Sequence, residues 1–198
     1  MGPAPEPALW EVDANLRPEG KDGPLVRTVE SYVQYYKRWA ENWEFQALLK
    51  ARPIAGSAQL GARYARAIDP FVWESAGRES FVESVQAMRA RVTDNIPSHQ
   101  VDRQIKLGPG GLRDIEFTVQ LLQLVHGRTD PAVRTKSTVD SLAALTAVSY
   151  ISRTDAEAFS RDYKKLRVLE HRIQLQQLRR THLMPEKEAE QRALARSI

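Results

Sequence analysis

From Thr28 onward the apolar residues recur at threes and fours, and only residues 9–17 alternate at twos. This contrast decides the fold class. A period near 3.6 buries one stripe of a helix, whereas a period of two buries one face of a strand. The alternation sets Trp10, Val12, Ala14 and Leu16 on one face and Glu11, Asp13, Asn15 and Arg17 on the other. Turn chemistry follows in Pro18-Glu19-Gly20 and Asp22-Gly23-Pro24. A single strand cannot satisfy its own backbone groups. It is therefore expected to pair near residues 25–28 or with strands outside these 198 residues, or to join two chains through its exposed edge as a dimer.

The helical periodicity predicts one helix from a cap at Thr28 or Ser31 to Lys50, with Tyr32, Tyr35, Tyr36, Trp39, Trp43 and Ala47 on its stripe. Further helices are expected over 60–68, ending before Asp69-Pro70, and over 80–92, 115–126, 138–150 and 155–184. Gly108-Pro109-Gly110-Gly111 reads as the most flexible element. The expected fold class is mainly α, a helical bundle carrying a short N-terminal β remnant, with a boundary between 1–56 and 57–198.

Composition narrows the function classes. Hydrophobic residues make up 42% and charged residues 27%, which excludes collagen-like, disordered and membrane-spanning chains. The start MGPAPEPALW has neither the basic segment nor the apolar stretch of a signal peptide. With no cysteine there is no disulfide and no thiolate metal site, which fits a reducing compartment. Twenty-nine basic against 25 acidic residues leave a net charge of +4, too mild to mark a nucleic-acid binder.

Two segments carry candidate chemistry. Asp13, with Arg17 four residues on, is placed to hold Mg²⁺ beside carboxylates of a neighbouring strand while Arg17 meets a phosphate, although a solvated edge face shows the same alternation. In Lys106-Leu107-Gly108-Pro109-Gly110-Gly111-Leu112-Arg113-Asp114-Ile115-Glu116-Phe117, Gly110 and Gly111 can turn N–H groups toward an anion at a helix N-terminus. Lys106 and Arg113 would add positive charge, and Asp114 and Glu116 suit the first helical turn. The segment lacks the Gly-Lys-Ser/Thr ending of a Walker loop. The four histidines have no metal-ligand spacing, and no Gly-x-Ser-x-Gly elbow is present. Arg167, His171, Arg172, Arg179, Arg180 and His182 form a basic helix flank, either a solvated face or a dock for an acidic partner.

Three blocks together resemble the bacterial glutamine-synthetase adenylyltransferase/adenylyl-removing enzyme family, in its actinobacterial wording. They are Val12-Asp13-Ala14-Asn15-Leu16-Arg17-Pro18-Glu19-Gly20, the run from Trp43 to Pro53, and the run from Lys106 to Phe117. The resemblance implies a large cytoplasmic enzyme with two nucleotidyltransferase domains of the polymerase-β type, each followed by helices. One half attaches AMP from ATP to a tyrosine of glutamine synthetase, and the other removes it by phosphorolysis as ADP. Glutamine and the PII signalling protein set the balance. Thr93-Asp94-Asn95-Ile96 with the glycine segment points to the adenylyl-removing half. The family's Gly-Ser followed by an Asp-x-Asp pair is missing here, since Gly56-Ser57 has no acidic pair behind it. Asp13 then corresponds to the third metal carboxylate, and the isolated chain is expected to be inactive. In that case the helices serve either as the body behind the catalytic domain or as a docking module for glutamine synthetase or PII. A remaining alternative has Asp114 and Glu116 replace the missing pair beside Asp13, which requires them to lie on a strand.

Overall fold

The computed structural model describes residues 12–198, and among them the chain is built from helices. Their order is α1 (Val29–Arg38), α2 (Asn42–Leu48), α3 (Ala58–Glu74), α4 (Phe81–Asp94), α5 (Leu112–Gly127), α6 (Thr138–Ala147), α7 (Arg153–Gln177) and α8 (Glu188–Ala195), joined by short 3-10 turns. The mainly helical expectation holds. The β remnant is not seen: residues 12–17 are irregular and end in a turn, and residues 9–11 lie outside the described part. The physical reason lies in the partners. Asp13 Oδ1 accepts the Asn15 N–H at 2.9 Å, a local turn that replaces the ladder a neighbouring strand would supply. The described residues thus offer no strand edge for a dimer. Their one β-type contact is an isolated antiparallel bridge between Gln104 and Leu183.

Side-chain caps start the helices where the sequence places small hydroxyl residues. Thr28, Ser57, Ser137 and Ser152 accept the N–H of residue N3 of α1, α3, α6 and α7. The single helix expected from residue 28 to 50 is two. Glu41 opens α2 with a capping box, and the Glu44 carboxylate accepts both the Glu41 N–H and the Tyr35 hydroxyl at 2.9 Å. Conversely, α3 does not stop before Pro70 but runs through it to Glu74. Asp69 and Pro70 are exposed, so water can satisfy the carbonyl that the missing N–H leaves open. Helix α7 ends earlier than expected, at Leu178 in the left-handed region (φ 49°), and the chain then runs back to form α8.

The core has two apolar clusters with α5 between them. One gathers Tyr36, Phe45, Leu49, Ile68, Val72, Trp73, Phe81 and Val85 around Leu124. The other gathers Val133, Leu142, Leu145 and Ala156 around Ile115 and Val119. Helix α5 packs on α2, α3 and α4 on one side and on α6 and α7 on the other. Two of its buried polar side chains are tied in: Gln120 accepts a hydrogen bond from Gln46 at 2.8 Å, and Gln123 Nε2 donates to the Val133 and Thr135 carbonyls at 2.7 and 2.9 Å. Among the described residues no helix is long and apolar enough to cross a membrane.

Candidate functional site

The loop before α1 carries Asp13 and Arg17. Arg17 donates from Nε to the Gly23 carbonyl at 2.9 Å, from Nη1 to Ala14 at 2.7 Å and from Nη2 to Lys21 at 3.0 Å. This fork draws the loop into a ring. The chain reverses through Glu19 (φ 64°) and Gly20 (φ 56°), and Gly23 is required because a Cβ there would lie 2.1 Å from the Pro18 carbonyl oxygen. The ring is tied to α1 by the Arg27–Glu19 ion pair, with the Arg27 guanidinium 5.7 Å from the centre of the Tyr35 ring. The Asp13 side chain is exposed at the edge of a hollow of about 320 Å³, which Arg17, Tyr32, Leu48, Ala51 and Tyr64 also line. This hollow shares Tyr32, Leu48, Ala51 and Tyr64 with a larger cleft of about 920 Å³ between α1 and α3, whose far side reaches Lys136.

The glycine segment is folded tightly and holds no open anion cradle. Gly108 N–H donates to Gln104 at 3.0 Å, Gly111 to Gly108 at 3.1 Å, Leu112 to Ile105 at 3.0 Å, Arg113 to Lys106 at 2.9 Å and Asp114 to Gly111 at 3.0 Å. Gly110 N–H is taken by the Asp114 carboxylate at 2.7 Å. Arg89 on α4 clamps the segment, donating to Asp114 Oδ1 at 2.5 Å and to the Gly108 carbonyl at 3.2 Å. Each glycine N–H of residues 108–111 is thus engaged, by Gln104, Gly108 and the Asp114 side chain, while Arg89 binds the Gly108 carbonyl from α4.

The expected charges divide in the same way. Lys106 donates to Glu170 at 2.9 Å, and Arg167 binds the other oxygen of that buried carboxylate at 2.6 Å. His182 lies 3.8 Å from Glu170 with a buried, unpartnered Nδ1. Burial above all, with the Lys106 charge adding to it and Glu170 opposing, lowers the pKa of His182. Arg113 is less committed: it makes a 3.4 Å contact with Glu116, and its guanidinium lies 5.6 Å from the centre of the Phe117 ring. Asp114 and Glu116 sit on a helix and diverge, the first to Arg89 and Gly110, the second to Arg113 and the Tyr163 hydroxyl. This removes the geometry in which both would join Asp13 around a metal.

Lys50 is the residue that sequence reasoning missed. Its ammonium donates to the Lys136 carbonyl at 2.6 Å and to Thr138 at 3.2 Å, fixing the backbone of Lys136 at the cleft. Burial pulls the Lys50 pKa down, and Glu116 partly restores it. The available signal was a lone lysine closing the apolar stripe of α2. Among the described residues no three His, Cys, Asp or Glu side chains come together to hold a metal ion. Asp13 is the one carboxylate lining its hollow, so the described residues do not by themselves make the expected Mg²⁺ site.

Comparison with known proteins places these features in a family. A model described as glutamate-ammonia ligase adenylyltransferase matches residues 2–67, and one described as GlnD PII-uridylyltransferase matches residues 86–198. The chain is similar to bifunctional glutamine synthetase adenylyltransferase/adenylyl-removing enzymes of several bacteria. It is 66% identical to that of Leifsonia xyli subsp. xyli over 195 residues, covering 98% of this chain and 19% of the relative. Identity to the Streptomyces coelicolor protein is 62% over 193 residues, again 98% of this chain and 19% of the relative. For the Mycobacterium tuberculosis (strain ATCC 25618 / H37Rv) protein it is 58% over 192 residues, 96% and 19%. The chain thus spans about a fifth of the length of the relatives it matches. With the Asp13 loop, the Trp43–Pro53 run and the closed glycine segment all inside this similarity, the chain belongs to the family of the bifunctional glutamine synthetase adenylyltransferase/adenylyl-removing enzyme.

Proposed function

We propose that this chain works as one section of a bifunctional nucleotidyltransferase that attaches and removes the adenylyl group of glutamine synthetase. The observation that carries the reading is the 66% identity over 195 residues, a match that covers 98% of this chain. In this reading residues 1–56 close a nucleotidyltransferase domain and residues 57–198 form the helices behind it, in the adenylyl-removing half. Asp13 contributes one carboxylate at the reacting phosphate, where Mg²⁺ with ATP or ADP requires further carboxylates from outside the described residues. Arg113 is the cation left to meet a phosphate, whereas Arg17, Lys106, Gly110 and Gly111 shape the loops that carry these groups. The isolated chain is inactive, because one carboxylate cannot hold the two metal ions that would neutralise charge on both the attacking and the leaving group. The whole enzyme is cytoplasmic and answers to the PII protein.

The test uses the full-length enzyme with Asp13→Asn. Removal of AMP from adenylylated glutamine synthetase should fall about a hundredfold or more, with addition of AMP retained. If both activities persist unchanged, the assignment of Asp13 is wrong. If addition is the activity lost, the assignment to the removing half is wrong. A docking role is favoured by one specific feature: His171, Arg172 and Arg180 are exposed on and just after α7 and enter no ion pair among the described residues. Arg172→Ala with Arg179→Ala should then weaken capture of glutamine synthetase or PII in a pull-down.

A further inference from the structure

Helix α7 stops where its sequence gives it no reason to stop. Glycine or asparagine ordinarily takes the left-handed residue at a helix end, because a Cβ there crowds the following carbonyl oxygen. Here that residue is Leu178 (φ 49°, ψ 35°), and it is 88% exposed, so no packing of its side chain offsets the strain. The run Gln174-Leu175-Gln176-Gln177-Leu178-Arg179-Arg180-Thr181-His182-Leu183-Met184 holds no glycine, asparagine or proline, and Pro185 is the first breaker. Local propensity therefore favours a helix that continues to Leu183, since the residue before a proline is pushed out of the helical region.

Residues 179–184 are instead laid as a strap across residues 103–106. The Ile105 N–H donates to the His182 carbonyl at 3.2 Å and the Met184 N–H to the Arg103 carbonyl at 2.8 Å, on either side of the Gln104–Leu183 bridge. Arg103 donates to the Met184 carbonyl at 3.1 Å and pairs with Glu186 at 2.7 Å, while Gln174 reaches the Thr181 carbonyl at 3.2 Å. The match is incomplete, because Gln104 Oε1 and His182 Nδ1 are buried without a partner. His182 Nδ1 lies 3.8 Å from Glu170, whereas in a continuous helix the two residues would stand about 18 Å apart along the axis. The two arrangements exclude each other.

We infer that residues 179–184 are a two-state latch, a strap across residues 103–106 in one state and a continuation of α7 in the other, with the charge on His182 setting the balance. In the strap His182 faces Lys106 from the segment before α5, Arg113 on α5, Arg180 on the strap itself and Glu170 on α7, whose carboxylate Lys106 and Arg167 already neutralise. Burial, joined by the three cations, outweighs Glu170 and lowers the pKa of His182, so the strap accepts a proton less readily than a solvated histidine does. Continuing the helix takes His182 out of this setting. Acid therefore moves the balance from strap to helix. Leu194 is the one buried residue of α8, so little anchors the strap from beyond Pro185. Release frees Arg103 from Met184 and Glu186, just ahead of the segment that begins at Lys106.

The experiment is nuclear magnetic resonance of the isotope-labelled 198-residue chain between pH 7.5 and 5. The Cα chemical shifts of residues 179–183 distinguish helix from extended backbone, and the His182 ring reports its own protonation. The ratio of helix to strap should rise at least about tenfold across this range, in step with the ring titration. His182→Gln should remove the pH dependence. Leu178→Gly, which relieves the left-handed strain and weakens the helix, should lower the helical population at pH 5 about tenfold or more. Gln104 and Leu183 form a non-hydrogen-bonded pair, whose Cα atoms ordinarily lie about 4.5 Å apart, so Gln104→Cys with Leu183→Cys can close a disulfide in this cysteine-free chain. Oxidised, this variant should keep the strap at pH 5, and reduction should restore the transition. Unchanged shifts in α5 and α6 confirm the fold of each variant. Strap-like shifts throughout the titration of His182 overturn the inference. A move of residues 179–183 to random-coil shifts does so as well, as does an equal response from the oxidised variant or from Leu178→Gly.

Discussion

A guanidinium that already grips three carbonyls has little left for a phosphate. From its position in the sequence Arg17 reads as an anion ligand, but its fork lies on Ala14, Lys21 and Gly23, where it shapes the loop that presents Asp13. A lysine ammonium lacks the planar fork needed to span three carbonyls. In Arg17→Lys, amide exchange at Gly20, Asp22 and Gly23 should therefore accelerate about tenfold, as read by hydrogen-exchange mass spectrometry. Unchanged exchange would return Arg17 to the role of a free cation. His182 supports a second prediction at this scale. Lys106, Arg113 and Arg180 face it together with Glu170, and burial leads in holding its folded pKa below the ordinary 6.5. Near pH 6.5 the unfolded chain therefore binds more protons than the folded one, so stability should fall as pH drops through that value and level off below the folded pKa. Urea midpoints measured between pH 7.5 and 5 should show this slope, and His182→Gln should flatten it.

At the scale of elements, α3 shows how tertiary packing overrides a stop signal. Asp69-Pro70 reads as a boundary, yet Ile68, Val72 and Trp73 are all buried in one cluster, and burying this stripe outweighs one lost helical hydrogen bond. Because Pro70 itself is exposed, Pro70→Ala should restore the bond and raise stability by about 1–2 kcal/mol in chemical denaturation. A decrease would mean that the proline's restriction of the unfolded chain is the larger effect. The opposite case is the break between α1 and α2. Apolar spacing continues across residues 39–41, but Trp39 is 72% exposed while Ala40 is buried, and the capping box of Glu41 and Glu44 begins a new helix. The stripe was legible, whereas its interruption depended on a carboxylate that also receives the Tyr35 hydroxyl.

At the scale of the whole molecule, α5 joins the two clusters, so neither should melt without the other. Leu124 belongs to one and Val119 to the other, and both are fully buried. Leu124→Ala should cost about 2–5 kcal/mol and Val119→Ala somewhat less. Each should lower the one cooperative transition seen by calorimetry and by far-ultraviolet dichroism. Two separated transitions would show that α5 does not couple the halves. The sequence by itself determined the helical class, the hydroxyl cap of α1, the buried stripe of α5 and the family, because these rest on local propensity, periodicity and three ordered blocks of residues. Only the tertiary structure decided that the glycine segment is closed, that Arg17 and Lys106 spend their charge on nearby carbonyls and a buried carboxylate, and that Lys50 steadies Lys136 at the cleft. Such outcomes depend on which groups from distant segments satisfy one another, Lys106 with Glu170 or Lys50 with Thr138, and spacing along one chain carries no record of those pairings.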